Sequence, residues 1–275
     1  VVIEQLGWPI PKDTSKTLVV KGVLNTVAGG ADSGSSVYAS VMAANFEAQG
    51  ASALDTTVTA ATGYQKVVYK TKPTITVASA GATLGATLTP VIRFTVAADS
   101  AEQVSWKKVQ LAVTMSGATM TAVTAAPGTS GNVTLKPVGG SNLNIATAFS
   151  HASSATASTT DAITGGSAGY VTLILNTAED ISAGSAKTYE VALTFSDLVA
   201  SANGGANASV KLYQAETTLV SATTQSVVEN SDSNGVINGS PSFIWSDNSV
   251  VVHTESTADW ANSVYVKTLS SDPVS

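Results

Sequence analysis

KKVQLAVTM, residues 107–115, places Val109, Leu111, Val113 and Met115 at every second position, with Gln110, Ala112 and Thr114 between them. Alternation of this kind is the mark of a β-strand, whose successive side chains point to opposite faces of a sheet. A helix would return its apolar positions about every 3.6 residues. One face of the segment is apolar and the other small and polar, as in a strand with one side against a core. VIRFTVAAD (91–99) repeats the pattern with Ile92, Phe94 and Val96, and KTYEVALTF (187–195) with Tyr189, Val191, Leu193 and Phe195. YVTLILNT (170–177) is apolar on both faces, which predicts a central place in a sheet.

Glycine- and serine-rich stretches separate these runs at short intervals: AGGADSGSS (28–36), VGGSN (138–142), TGGSAG (164–169) and ANGGAN (202–207). Short strands joined by such turns predict an all-β fold, an antiparallel β-sandwich of immunoglobulin-like or jelly-roll-like kind. VYASVMAANF (37–46) alternates and is read as strand, despite its alanines. Residues 145–165, rich in Ala, Ser and Thr, are expected to form a long surface loop. Pro73 cannot sit inside a ladder and marks a boundary. The expected organisation is an arm at 1–11, N-terminal strands at 12–72 and the main sandwich at 73–275, with 12–275 as one domain the other option.

Only 12% of the 275 residues are charged, and the net charge is −6. Nucleic acid is excluded as a partner, since phosphate recognition demands clustered Lys and Arg, and the chain has 13 in all. There is no cysteine, which removes disulfides, thiolate metal sites and covalently attached haem. No run reaches the roughly 18 apolar residues of a membrane-spanning helix. The opening VVIEQLGWPIP lacks the basic start of a signal peptide, so in an exported protein Val1 is expected to follow a removed segment. A mean hydropathy of +0.22 with so few charges points to surface covered by other subunits, or to a bland alanine-rich exterior. The same composition suits a protein that lives outside the cell.

FIWSDNSVVVHTESTADW (243–260) concentrates two tryptophans, a histidine and three carboxylates. A catalytic reading pairs Glu255 or Asp259 with His253 as an acid–base couple. The structural reading makes FIW and VVVH strands, joined by an SDNS turn, with VYVKTL (264–269) as a third. Trp245 and Trp260 then bury their rings and donate their indole N–H groups to a carboxylate or carbonyl. The structural reading is favoured, because the chain has only two histidines, His151 and His253. GGSAG around Ser167 matches G-x-S-x-G but lacks the strand-to-helix setting of a nucleophile elbow. NSDSNG (230–235) begins like a calcium loop, yet Pro241 stands where the bidentate Glu belongs. No catalytic residue, cofactor or metal is expected. Asn132, Asn207 and Asn238 begin N-x-S/T sequons beside turns, where a glycan would be accessible.

In the N-terminal arm, Val1, Val2, Ile3 and Leu6 precede Trp8, which is flanked by Gly7 and Pro9. A free apolar strand on a proline hinge suits addition to the open sheet edge of a neighbouring copy. Trp8 is the expected anchor of that contact. QKVVYKTKPTITVA (65–78), VIRFTVAADSAEQVSWKKVQLAV (91–113) and FIWSDNSVVVHTESTADWANSVYVKTL (243–269) together resemble large secreted β-rich surface proteins of very small, host-attached bacteria. The WSD…H…DW piece is the most specific part of that resemblance. It implies a surface location and a structural use. The expected function is a subunit of an extracellular, pilus-like filament, assembled head-to-tail by strand donation. Its partner is itself, and in addition a host or neighbouring cell surface. The runner-up is a monomeric adhesin or carbohydrate-binding module, or a surface-layer component.

Overall fold

The computed structural model describes residues 7–42, 48–49, 54–55, 60–125, 131–152, 161–200, 205–214, 221–222, 242–266 and 269. These residues form an all-β, antiparallel sandwich. Its strands are β1 (Thr74–Ser79), β2 (Thr89–Ala97), β3 (Val104–Ser116), β4 (Val133–Pro137), β5 (Ile145–Ala152), β6 (Ala168–Ile181), β7 (Ala186–Leu193), β8 (Asn207–Leu212), β9 (Phe243–Ser246) and β10 (Trp260–Ala261). One sheet runs β4-β7-β2-β1. The other runs from Thr124–Ala125 through β5-β6-β3-β9-β10 to Ser221–Ala222, with β8 also paired to β3.

The alternating segments supply the core. Ile75, Ile92, Phe94, Val96, Tyr189, Val191 and Leu193 from the first sheet pack in one cluster with Val109, Leu111, Val113, Val171 and Leu173 from the second. β3, 13 residues long, is the axis of the larger sheet. β6 lies along one of its edges, and β8 and β9 share the other end to end. YVTLILNT falls in β6, between β5 and β3, as its two apolar faces predict.

The ladders slip at Lys107. On one side Ile174 pairs with Lys108 and Glu179 with Trp106; on the other Ile244 pairs with Lys108 and Trp245 with Trp106. Both registers step over Lys107. Trp106 and Val109 are three residues apart, so plain alternation would send them to opposite faces. The bulge shifts the phase and turns both inward. Trp106 then packs against Tyr189 at 4.9 Å, Phe94 at 5.6 Å and Phe243 at 5.9 Å between ring centroids.

Three expectations are corrected. Residues 145–152 are not loop but β5, paired with β6 from Ile145 to Ala152. Small Ala, Ser and Thr side chains fit a strand as well as a loop. The one buried hydroxyl, Ser150, accepts from Val123 N at 2.8 Å and donates to Asp161 O at 2.7 Å. VVVH (250–253) is not a strand. The Val250 N–H goes to the Asp259 carboxylate instead of a ladder, and Val251 and Val252 point into solvent. VYVKTL does not start as strand either: Asn262 caps a 3₁₀ turn over Ser263–Tyr265, and residues 267–268 lie outside the described residues.

Before the sandwich lie three two-residue antiparallel ladders, the middle one shifted by one residue from the register of the other two. Ser36–Val37 pairs with Lys66–Val67, Ser40–Val41 with Ala61–Thr62, and Ala48–Gln49 with Leu54–Asp55. The ladders nest one inside another, as in a hairpin, and the described part of VYASVMAANF enters them at Val37, Ser40 and Val41. Residues 43–47 lie outside the described residues.

Trp106→Ala is expected to cost about 3–5 kcal/mol of stability, as loss of a fully buried aromatic does. Trp8→Ala, at an exposed site, should change it by less than about 0.5 kcal/mol. Chemical denaturation midpoints of the two variants check the contrast.

Candidate functional site

The C-terminal stretch closes the end of the sandwich as a polar clasp. Asp247, almost fully buried, follows β9 directly. Its Oδ2 accepts from Ser33 Oγ at 2.5 Å and from Lys70 N at 2.7 Å, and its Oδ1 from Ser249 N at 3.3 Å. One carboxylate thus joins both feet of the N-terminal hairpin to the sandwich. Tyr69 stacks obliquely on Trp245 at 4.9 Å, and Lys70 pairs with Glu102 at 2.5 Å beside it.

Asp259 is the second buried carboxylate. Its Oδ2 accepts from Val250 N at 3.1 Å and from His253 Nδ1 at 2.9 Å, while Thr257 Oγ bonds Oδ1. Burial by itself would raise its pKa. The bonds from His253, Thr257 and Val250 outweigh burial and bring it to about 2. Trp245 donates its indole N–H to Asn262 O at 3.0 Å, and Trp260 to Thr254 O at 3.0 Å. Both indoles are buried and both donate to carbonyls, as the sequence predicts.

Glu255 takes a different partner from the one a catalytic couple requires. It forms an ion pair with Lys107, whose side chain is 4% exposed, and accepts from Ala178 N at 3.1 Å. Lys107 Nζ also lies 3.5 Å from Asn176 O. Residues 175–178 are where β6 slips against β3, so this pair fills the gap that the bulge opens.

His253 and Asp259 are in contact, but they are not arranged as a relay. A nucleophile–base–acid chain needs a hydroxyl at one ring nitrogen and the carboxylate at the other. Here Thr257 Oγ (3.3 Å) and Asp259 Oδ2 (2.9 Å) both crowd Nδ1. Ser167 sits in the turn before β6, 3.4 Å from Thr164 Oγ1, and no described hydrogen bond joins it to either histidine. Among the described residues no three metal-ligating side chains converge. Asp99 accepts from Ala101 N at 3.0 Å, an ordinary turn. The bonds of the clasp tie residues 33, 70, 107 and 178 to the stretch that follows β9.

The second feature is the bare N-terminal third. None of the described residues from 7 to 70 is buried. Trp8 is 41% exposed, with Lys16 Nζ 5.3 Å from its ring centroid. Ile10, Leu18, Val19, Val20, Val23 and Leu24 also stand in solvent. So do Val37, Tyr38, Val41, Met42 and Tyr64 on the hairpin. A two-stranded hairpin is marginal alone in water, and contiguous exposed apolar side chains mark an interaction surface. Val1, Val2, Ile3 and Leu6 lie outside the described residues, as do Asn238 and the NSDSNG stretch. Asn132 is half-buried and donates its Nδ2 to Ala122 O at 2.9 Å, so its amide is already engaged. Asn207 is exposed at the start of β8. Sequence reasoning passed over TLVVKGVL (17–24), whose Leu18, Val20 and Leu24 alternate with Thr17, Val19, Lys21 and Val23.

No family model, no curated protein and no solved structure matches this chain.

Two outcomes follow from the clasp. Glu255→Ala strands a buried ammonium and is expected to cost about 3 kcal/mol. Lys107→Met combined with Glu255→Gln keeps the shape without the charges and should cost less than half of that, in the same denaturation assay. The low folded pKa of Asp259 contributes stability that is present above its unfolded value of 3.8 and is lost as pH falls toward about 2. Glu102, bonded to Lys70, is shifted down in the same direction. So is Glu190: burial opposes ionisation there, but Arg93 and Lys136 prevail. Melting temperature should therefore hold steady above about pH 5 and fall steeply between about pH 4 and pH 2. Asp259→Asn should flatten part of that fall.

Proposed function

We propose that this chain is a structural subunit of an extracellular filament, joined head-to-tail through its N-terminal arm. The observation that carries the reading is the absence of any buried residue among those described from 7 to 70, in a segment rich in Val, Leu, Tyr and Trp. Such a segment gains by docking on another molecule. Each copy has one arm and one sandwich, so arm-to-sandwich contact is heterologous, and heterologous contacts that do not close build open fibres. Val1, Val2, Ile3 and Leu6, with Trp8, extend the apolar run of the arm to its tip. The clasp supports the same role, because it fixes the base of the arm-bearing region to the sandwich through Ser33, Lys70 and Asp247. No helix among the described residues is long and apolar enough to cross a membrane. The low charge, the lack of cysteine and the resemblance to secreted surface proteins favour a place outside the cell.

Negative-stain microscopy of the full chain should show filaments that lengthen with concentration. Removal of residues 1–24 should leave isolated particles whose melting temperature lies within about 2 °C of the full chain, because none of the described residues removed is buried. A full chain that stays as single particles at high concentration would overturn the filament and favour a monomeric adhesin or carbohydrate-binding module.

A further inference from the structure

Resting on the filament reading, we propose that residues 17–24 of one copy add as a strand to the outer edge of β8 in a second copy. The donor is an extended segment without a partner. Among the described residues, no backbone group from Ser15 to Asn25 is hydrogen-bonded. Leu18, Val20 and Leu24 share one face of it as a strand, and Val23 is fully exposed. Lys21 falls on the opposite face, where an added strand meets solvent.

The acceptor edge follows from the phase of the ladder. Tyr213 N donates to Gln110 O at 2.9 Å. Residues at even steps from Tyr213 therefore turn their backbone groups toward β3. Those of Ala208, Val210 and Leu212 turn away from it. No described strand pairs with β8 on that outward side. β8 has no proline and a single charge, Lys211, so little blunts it against pairing. Beside it the sandwich is notched. β1 ends at Ser79, opposite Ile92, which leaves Thr89–Val91 of β2 without a strand on that side. A shallow depression there is lined by Leu84, Pro90, Val91 and Ala208. Apolar side chains of an incoming strand would fill it.

The occupant is a second copy because the arm is tethered too far from the outer end of its own β8 to add to it antiparallel. Ser33 is bonded to Asp247, which follows the Ser246–Ser105 pair at the start of β3. β8 pairs with Leu111–Ser116 at the far end of β3, between roughly 20 and 36 Å away at the rise of a strand. Leu24 precedes Ser33 by nine residues, at most about 30 Å of extended chain, and the 3₁₀ turn at Val27–Gly29 shortens that tether further below the roughly 36 Å that setting Leu24 beside Asn207 takes. Adding to a neighbour's edge meets no such limit, and backbone pairing plus side-chain pockets is a common mode of strand addition.

The test is sedimentation velocity of the full chain over a concentration series. Val20→Asp spoils the donor at an exposed site. Ala208→Pro removes an outward N–H and leaves every bond to β3 in place. Each should raise the concentration for half-assembly at least tenfold. An equimolar mixture of the two should stop at dimers, since each variant retains the half that the other has lost. If a folded Ala208→Pro, or Val20→Asp, assembles like the parent chain, or if the mixture fails to pair, the inference falls while the filament stands. If the parent chain itself never associates, the filament reading falls first. Should Ala208→Pro not fold, Ala208→Lys places a charge beside the same notch and is read the same way.

Discussion

The slip of two ladders at Lys107 is the constraint on which the larger sheet depends. β3 carries apolar residues in two different phases, Val104 and Trp106 on one side of the slip and Val109 to Met115 on the other, and only an extra residue between them lets both face the same core. The bulge gathers Trp106, Phe94, Tyr189 and Phe243 into one aromatic cluster. It also leaves a lysine with no place in either ladder. That lysine is buried, and a buried ammonium must be paired. Glu255 pairs it, which is why the loop after β9 returns to the sheet.

The C-terminal stretch is therefore built around desolvated charges. Asp247, Asp259 and Glu255 each collect backbone N–H donors along with their side-chain partners, and at Asp259 these bonds hold the carboxylate ionised where burial opposes it. The same arrangement explains why a sequence dense in His, Trp and carboxylates holds no relay. Its polar atoms are turned to one another, Asp259 to His253 and Thr257, Asp247 to Ser33 and Lys70. On the outer face of the smaller sheet Arg93, Glu190 and Lys136 form a cross-strand charge row, with Arg93 Nε 2.9 Å and Lys136 Nζ 3.3 Å from Glu190. This row joins β2, β7 and β4 across the sheet.

The N-terminal third follows the opposite rule. It has strand-forming residues but no second layer to lie against, and its apolar side chains face water. A sandwich this well filled has no need of them. In the proposed filament they make the contact between copies, at the open edge of β8.

The sequence by itself determined the strands, because such patterns are local: β2, β3 from Val109 onward and β7 are written in residue types at every second position, and β6 as a run apolar on both faces. It determined the burial of Trp245 and Trp260 and the kind of partner their indoles would find. Tertiary structure decided the rest. Whether Ala146–Ala152 is loop or strand depends on an adjoining β6, and small side chains suit either state. Whether VVVH extends depends on which acceptor its first N–H meets, and Asp259 lies nine residues away. The inward turn of Trp106, the pairing of Lys107 with Glu255 and the joining of Ser33 to Asp247 across 214 residues are long-range events. A period of two carries no information about which distant segment will supply the partner.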